Sequence, residues 1–293
     1  MSIIDTPWRT TEFLPKLKAD GVKTIIRYYN RKNSTKLPEK RLELAEAMAI
    51  DSAGMSLCSV YQQGQDSIDD FDNAQGVDAG ARAFVYASTV IKQPKGSTIY
   101  FSVDKDFVRK SHLKLIDAFF TGVSTAFAEK AGTGGSYAIG AYGSGLVLQR
   151  LKDQGLASMF WLAQSKGWTD YKTFLDSNAW NLLQGPVTEI EKLDCDTNES
   201  NPEMPSFGEF QLGGPAIPMD VAAAAVDSQL MKVNARDGLN LRQGPGTDFK
   251  VLSLLPFGAR VYVRAQNGPW SLIDLQGDNK LDGYCFSSFL SRV

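Results

Sequence analysis

One histidine and three cysteines stand among 293 residues, which closes most catalytic routes to this chain. His112 alone cannot furnish a two-histidine zinc site or an H-E-x-x-H protease, and a Ser-His-Asp triad would have to be built on it. A Cys-His peptidase would need it beside Cys58, Cys195 or Cys285. His112 lies in Ser111-His112-Leu113-Lys114, which reads as a helix start and suits a solvated or capping role. The cysteines are far apart and form no C-x-x-C pair, so neither a zinc site nor a disulfide framework is expected. No metal and no cofactor is expected either. If the chain hydrolyses anything, carboxylates must move the protons.

Acidic residues recur where short apolar runs end. Asp5 closes the first run, Asp104 and Asp106 follow a central one, and Asp196 follows the last. Near other run ends stand Arg27, Tyr28, Tyr61, Tyr142, Trp161, Gln164 and Gln184. Cleaving a glycosidic bond takes one protonated carboxylic acid and one ionised carboxylate across the bond. Crowding carboxylates in one mouth raises the pKa of at least one of them, by repulsion and desolvation. Tyr28, Tyr142 and Trp161 suit stacking on sugar faces, while Arg27, Gln164 and Gln184 suit hydroxyl and N-acetyl groups. One Asp after a strand is as readily a helix cap. The recurrence at separate strand ends is what points to chemistry.

The elements that would position these residues alternate. Strand-like runs fall at 2–5, 24–28, 55–61, 97–104, 137–142, 159–163, 179–184 and 189–194. Helical patterns fill 11–19, 38–50, 69–90, 110–130 and 144–154, the second opening on Pro38-Glu39 as a helix start does. The helix after the sixth run is short and the one after the seventh nearly absent. Strands buried on both faces and alternating with helices predict a parallel sheet. Eight of them predict an α/β fold closed as a (βα)8 TIM-like barrel, whose chemistry sits at the C-terminal strand ends. An open doubly wound sheet is the runner-up, but no G-x-G-x-x-G opens the first helix.

Residues 213–230 begin Gly-Gly-Pro and continue into an Ala run, which predicts a linker between a barrel at 1–212 and a second domain at 231–293. That domain reads as short strands at 239–242, 251–254, 260–263, 270–273 and 283–286. Gly244-Pro245-Gly246, Pro256-Phe257-Gly258, Asn267-Gly268-Pro269 and Gly277-Asp278-Asn279 punctuate them. Gly238-Leu239-Asn240-Leu241-Arg242-Gln243-Gly244-Pro245-Gly246, with Gly268-Pro269-Trp270 and Gly283-Tyr284-Cys285, closely resembles the bacterial SH3-like (SH3b) family. The resemblance implies a small all-β barrel that targets cell wall or binds peptide. Tyr262, Trp270 and Tyr284 are its candidate binding aromatics, with a core role equally open for Trp270.

The first domain resembles the glycoside hydrolase-like barrel family of unknown function, itself similar to the family twenty-five lysozymes. The resemblance rests on Ile3-Ile4-Asp5-Thr6, Ile26-Arg27-Tyr28-Tyr29, Ile99-Tyr100-Phe101-Ser102-Val103-Asp104-Lys105-Asp106, Ile139-Gly140-Ala141-Tyr142, Phe160-Trp161-Leu162-Ala163-Gln164 and Asp194-Cys195-Asp196-Thr197-Asn198. It implies that Asp5, Asp104 and Asp196 match lysozyme acidic positions, and that Asp106 stands where the lysozymes carry their acid Glu. Asp is one methylene shorter, which withdraws the carboxyl by roughly an ångström. A shift of that size can slow turnover on the order of 100-fold.

The expected function is therefore a muramidase-like hydrolase of bacterial peptidoglycan, with Asp106 as general acid. Asp104 and Asp196 would serve as stabilising or positioning carboxylates, and Asp5 would hold the network. A non-catalytic wall-binding protein is the alternative, and a Cys-His peptidase a third. Lys plus Arg number 31 against 33 Asp plus Glu, so no basic surplus suggests nucleic acid. No apolar run approaches the roughly 20 residues that span a bilayer, so no membrane insertion is expected. The first residues lack a signal-peptide pattern. Action in periplasm or wall would then follow non-classical export, as for an antibacterial effector with a secretion apparatus and an immunity protein, or phage-type lysis.

Overall fold

The computed structural model describes residues 2–131, 135–212, 229–242, 250–267, 270–277 and 282–293. The chain divides into two compact units, Met1–Leu212 and Gly213–Val293.

In the first unit eight strands close a barrel in sequence order: β1 Ile3–Asp5, β2 Thr24–Tyr29, β3 Ser56–Tyr61, β4 Thr98–Ser102, β5 Ala138–Gly143, β6 Met159–Leu162, β7 Leu182–Ile190 and β8 Leu193–Ser200. Around it lie α1 Leu14–Ala19, α2 Leu44–Ser52, α3 Asn73–Val85, α4 Lys110–Ala131, α5 Gly145–Asp153 and α6 Tyr171–Asp176. Side chains alternate in and out along each strand. Ile3, Ile26, Cys58, Val60, Tyr100, Trp161 and Leu182 fill the interior. The neighbouring positions Ile4, Ile25, Leu57 and Phe101 pack outward in the larger cluster shared with the helices.

Three features depart from the sequence expectation. First, β8 is antiparallel to both β7 and β1, so the barrel is not a run of eight βα repeats. The strand expected at 189–194 straddles a tight turn in which Glu191 (φ 51°) and Lys192 (φ 77°) are both left-handed. Two successive positive φ values are what a two-residue hairpin turn requires. Second, the helix expected from residue 38 begins at Leu44. The carbonyls of Glu39 and Lys40 accept instead from the Arg27 guanidinium, at 2.8 and 3.2 Å, which holds 38–43 as a loop. Third, α3 ends at Val85 and continues as a π-helical turn, Tyr86–Ile91, stopped by left-handed Lys92.

The second unit is an all-antiparallel sheet of β9 Gln229–Val233, β10 Leu239–Arg242, β11 Val251–Leu255, β12 Arg260–Asn267, β13 Trp270–Asp274, β14 Gly283–Phe286 and β15 Leu290–Arg292, in the order β11-β10-β14-β13-β12-β9-β15. All five expected strands are present, and β9 takes the last two residues of the expected linker. The rest of that linker, at 213–228, and the Gly244-Pro245-Gly246 turn lie outside the described residues.

Candidate active site

The C-terminal end of the barrel gathers three carboxylates. Asp5 is the last residue of β1 and faces inward. In the β1–β8 register it lies opposite Asp196, which faces the same interior. Because β8 runs backwards, a residue near its start, and not its end, reaches the mouth. Asp104 lies two residues past β4, on the inward side set by Tyr100 and Ser102. Its backbone N–H donates to the Gln65 carbonyl at 2.8 Å.

Asp5 and Asp196 share one hydrogen-bond network, and Asp104 stands beside it in a second. Gln184 on β7 donates through Nε2 to Asp5 Oδ2 and to Asp196 Oδ2, each at 3.3 Å, while its Oε1 accepts from the Tyr142 hydroxyl at 2.8 Å. Asn198 donates to Asp5 Oδ2 at 2.8 Å and Tyr28 donates to Oδ1 at 3.2 Å. Gln164 donates to Asp196 Oδ1 at 3.3 Å. Gln62 donates to Asp104 Oδ2 at 2.9 Å and accepts from the Lys40 ammonium at 2.8 Å.

Burial sets the electrostatics. Asp5 is 1% exposed. Desolvation first, then repulsion by Asp196, pushes its pKa up to about 7, against three hydrogen bonds that favour the charged form. Burial also raises Asp196 and Asp104, the latter opposed by Gln62 and Lys40. Lys40 stands 4.6 Å from the Tyr28 ring centre, and desolvation lowers it to about 8 despite Asp104 nearby. Asp104, Asp196, Tyr28, Tyr142, Gln62, Gln164 and Lys40 are half-buried, so solvent reaches the basin that they rim.

Several expected site residues lie elsewhere or do other work. Asp106 was expected as the general acid, but its carboxylate accepts from Thr169 N at 3.1 Å and from Thr169 Oγ1 at 2.9 Å. That ties the loop after β4 to the loop after β6 and turns the carboxylate from the network. Arg27 was expected to bind substrate, yet it is 0% exposed, points outward and holds Glu46 of α2 at 2.8 and 3.0 Å. Tyr61 was expected in the cleft, but strand parity turns it outward onto Phe101, with ring centres 5.7 Å apart. Trp161 is too deep to stack on a sugar. Its Nε1 donates to Asn198 Oδ1 at 2.9 Å and its ring supports Tyr142 edge to face at 4.9 Å. Gln184 is buried, so it holds the carboxylates in place.

The sequence places Gln62 and Asn198 at strand ends without giving them a site role, and passes over Lys40. Parity was the available signal for Gln62, which continues the inward series Cys58, Val60. Asn198 likewise follows Asp196 by two. No local signal marks Lys40, whose place depends on the buried Arg27–Glu46 pair. The peptidase reading fails on geometry. Cys58 is buried in the barrel interior with its thiol pushed far up, Cys195 is raised to about 11, and His112 packs on Phe107.

In the second unit Trp270 is buried and meets Phe286 edge to face at 5.2 Å, which makes it a core residue. Tyr262 and Tyr284 are half-buried on β12 and β14.

A closed barrel with carboxylates on separate strands at its C-terminal mouth defines a glycoside hydrolase-like protein. The family model for the Rv2525c-like, glycoside hydrolase-like domain matches residues 15–205, and the chain belongs to that family. A bacterial SH3 domain model matches 237–291. Among solved structures, the Tat-secreted protein Rv2525c of Mycobacterium tuberculosis, in complex with L-tartrate, is 20% identical with a TM-score of 0.57, over 71% of this chain and 97% of that one. An uncharacterized Bacillus stearothermophilus protein is 15% identical with a TM-score of 0.50, over 70% and 97%. The uncharacterized protein YbfG of Bacillus subtilis is 30% identical over 180 residues, 60% of this chain but only 24% of YbfG. Among the described residues no helix is long and apolar enough to cross a membrane.

Proposed function

We propose that the barrel mouth binds and hydrolyses a peptidoglycan glycan, with Asp196 and Asp104 as the reacting carboxyls and Asp5 as a buried proton store. The observation that supports this is the network in which Gln184 joins Asp5 to Asp196, with Asp104 close enough to raise Asp196 and held by Gln62. Two buried carboxyls that repel each other do not both ionise readily, even with an amide donor shared between them, so the Asp5–Asp196 pair retains a proton into the neutral range. Asp196 is the member that solvent and substrate reach, so it delivers that proton to the leaving oxygen. Burial raises Asp104, but Gln62 and Lys40 oppose that shift, and in its ionised form Asp104 stabilises positive charge on the sugar or activates water. Environments that drive carboxyls to opposite protonation states are what glycoside cleavage needs. The bacterial SH3 domain directs the barrel to wall, and the Tat-secreted relative supports action outside the cytoplasm.

Capture of Asp106 by Thr169 favours a second reading, in which the barrel holds glycan without cutting it. Mass spectrometry of purified peptidoglycan incubated with the full chain separates the two. We expect soluble muropeptides from wild type, a loss of at least about 100-fold in Asp196→Asn and in Asp104→Asn, and retention in Asp106→Ala. Activity should also fall as pH rises through about 7, where the Asp5–Asp196 pair gives up its proton. Co-sedimentation with peptidoglycan and no product would leave only the binding reading. Neither product nor co-sedimentation would overturn both.

A further inference from the structure

Lys40 is the cation among the half-buried side chains that rim the basin, and no carboxylate there touches it. Its ammonium donates to Gln62 Oε1 at 2.8 Å and stands over the Tyr28 ring, and it forms no ion pair with a described residue. An ammonium carries three donors, and Gln62 is the one described acceptor. Asp104 and Asp66 attract it from beyond contact, but burial outweighs that attraction. Nor is this a loose surface lysine. Arg27 holds the Glu39 and Lys40 carbonyls at 2.8 and 3.2 Å, and the Leu42 N–H donates to the Tyr28 carbonyl at 2.9 Å. Arg27 is itself buried against Glu46. A buried ion pair thus fixes the backbone that presents a partly desolvated, uncompensated ammonium to the mouth. Stability does not ask for that charge, since a methionine would cover the Tyr28 ring without the desolvation cost.

Granting that the mouth is the glycan site, we infer that Lys40 selects the substrate by taking a free carboxylate on the sugar, so that the mouth accepts a muramic acid whose lactyl group carries no peptide. Asp5, Asp104 and Asp196 repel an anion, so the substrate carboxylate lies on the Lys40 side, beside Tyr28 and Gln62. One ammonium balances one carboxylate, whereas a phosphate dianion would leave a charge facing Asp104 and Asp66. The same partial burial that penalises the bare cation strengthens its pairing with an arriving anion. Gln62 spans from Lys40 to Asp104, so the carboxylate is held one amide group away from a reacting carboxyl. In peptidoglycan the lactyl carboxyl is the acyl half of an amide to the stem peptide. Hydrolysis frees it: the oxygen of water joins the acyl carbon, the C–N bond breaks and the peptide leaves as an amine. An amide-hydrolysing reaction therefore comes first, and this chain consumes its product.

Calorimetric titration at low ionic strength tests this on the full chain carrying Asp196→Asn, so that binding is read whether or not hydrolysis follows. The ligands are a peptide-free tetrasaccharide of alternating N-acetylglucosamine and N-acetylmuramic acid, the same tetrasaccharide with its stem peptides, and chitotetraose, which lacks the lactyl group. Adding Lys40→Met, which keeps the backbone carbonyl that Arg27 holds, should weaken the peptide-free acid about tenfold or more and change the other two by less than about threefold. Lys40→Arg should keep most of the affinity for the acid. If Lys40 served only to set the charge of Asp104, Lys40→Met would shift the acid and chitotetraose alike. That outcome would overturn the inference and leave the glycan site standing, as would peptide-free acid binding no more tightly than chitotetraose. A Lys40-dependent gain as large for the peptide-bearing ligand, or larger for a hyaluronan tetrasaccharide, would overturn the assignment to a free lactyl group. Binding of none of these ligands would overturn the inference and the glycan site together.

Discussion

Asp5 should make the protein less stable as pH rises, and replacing it should reverse that. Its carboxyl titrates at 3.8 in the unfolded chain and at about 7 when folded. Between those values the folded state holds a proton that the unfolded state has released, so stability falls with rising pH across that window and levels off above it. Taking the carboxyl from 3.8 to about 7 corresponds to about 4 kcal/mol against the ionised form at pH 8. The residue is fully buried, so solvent screens little of it. Asn is nearly isosteric and fits the network. Its Oδ1 can accept from Asn198 and Gln184, and its Nδ2 can donate to the Tyr28 hydroxyl oxygen. Urea unfolding of wild type and Asp5→Asn should give near-equal stabilities at pH 4, and the variant should be the more stable at pH 8 by up to about 4 kcal/mol. Using the difference between two full-length chains cancels the contribution of the second unit. A difference independent of pH, or a variant weaker at pH 8, would refute the claim that Asp5 is strained by its charge.

Two further substitutions test the frame around the site. Arg27→Met leaves Glu46 buried without its cation and frees the loop that carries Lys40; unfolding should become easier by about 3–5 kcal/mol in urea titration at neutral pH, and a loss under 1 kcal/mol would contradict the structural role given to Arg27. Gly76→Ala would put a methyl carbon 1.9 Å from the Phe119 carbonyl oxygen where α3 crosses α4, so the helices must separate, with a loss of about 1–3 kcal/mol or more in the same assay; an unchanged midpoint would mean that the two backbones are not in contact there.

Much of this arrangement is legible in the sequence, and what is not has identifiable physical causes. Apolar runs alternating with helical patterns place all of β1 to β6, because those strands are buried on both faces. Asp5, Asp104 and Asp196 are found because each follows an apolar run. Arg27 and Tyr61 are misplaced because a run end was read without its parity: Ile26 and Tyr28 face the interior, so Arg27 between them cannot, and Val60 rules out Tyr61 in the same way. Asp106 lies beyond the strand, where parity no longer governs direction and Thr169 captures it. The reversal of β8 is hidden because Glu191-Lys192 carries neither Gly nor Asn, the residues that usually announce a two-residue hairpin turn. The Pro38-Glu39 start signal fails because a long-range donor, the Arg27 guanidinium, takes the carbonyls that a helix would have used.

The reversed strand is also what makes the site electrostatically unusual. Register places Asp5 and Asp196 opposite each other on adjacent antiparallel strands, an arrangement that is unfavourable for two like charges. A barrel selected only for stability would place branched apolar residues there, as it does one layer below with Ile3, Ile26 and Leu182. The fold instead surrounds the pair with amide donors from Gln164, Gln184 and Asn198 and leaves one proton to balance it. Ser102, on the same inward face two residues before Asp104, adds a buried hydroxyl with no partner. The apolar layer stabilises the barrel, while the layer above is held in a state that a bound, proton-accepting ligand would relieve. That division along a single alternation of side chains is the physical reason to look for chemistry at this mouth.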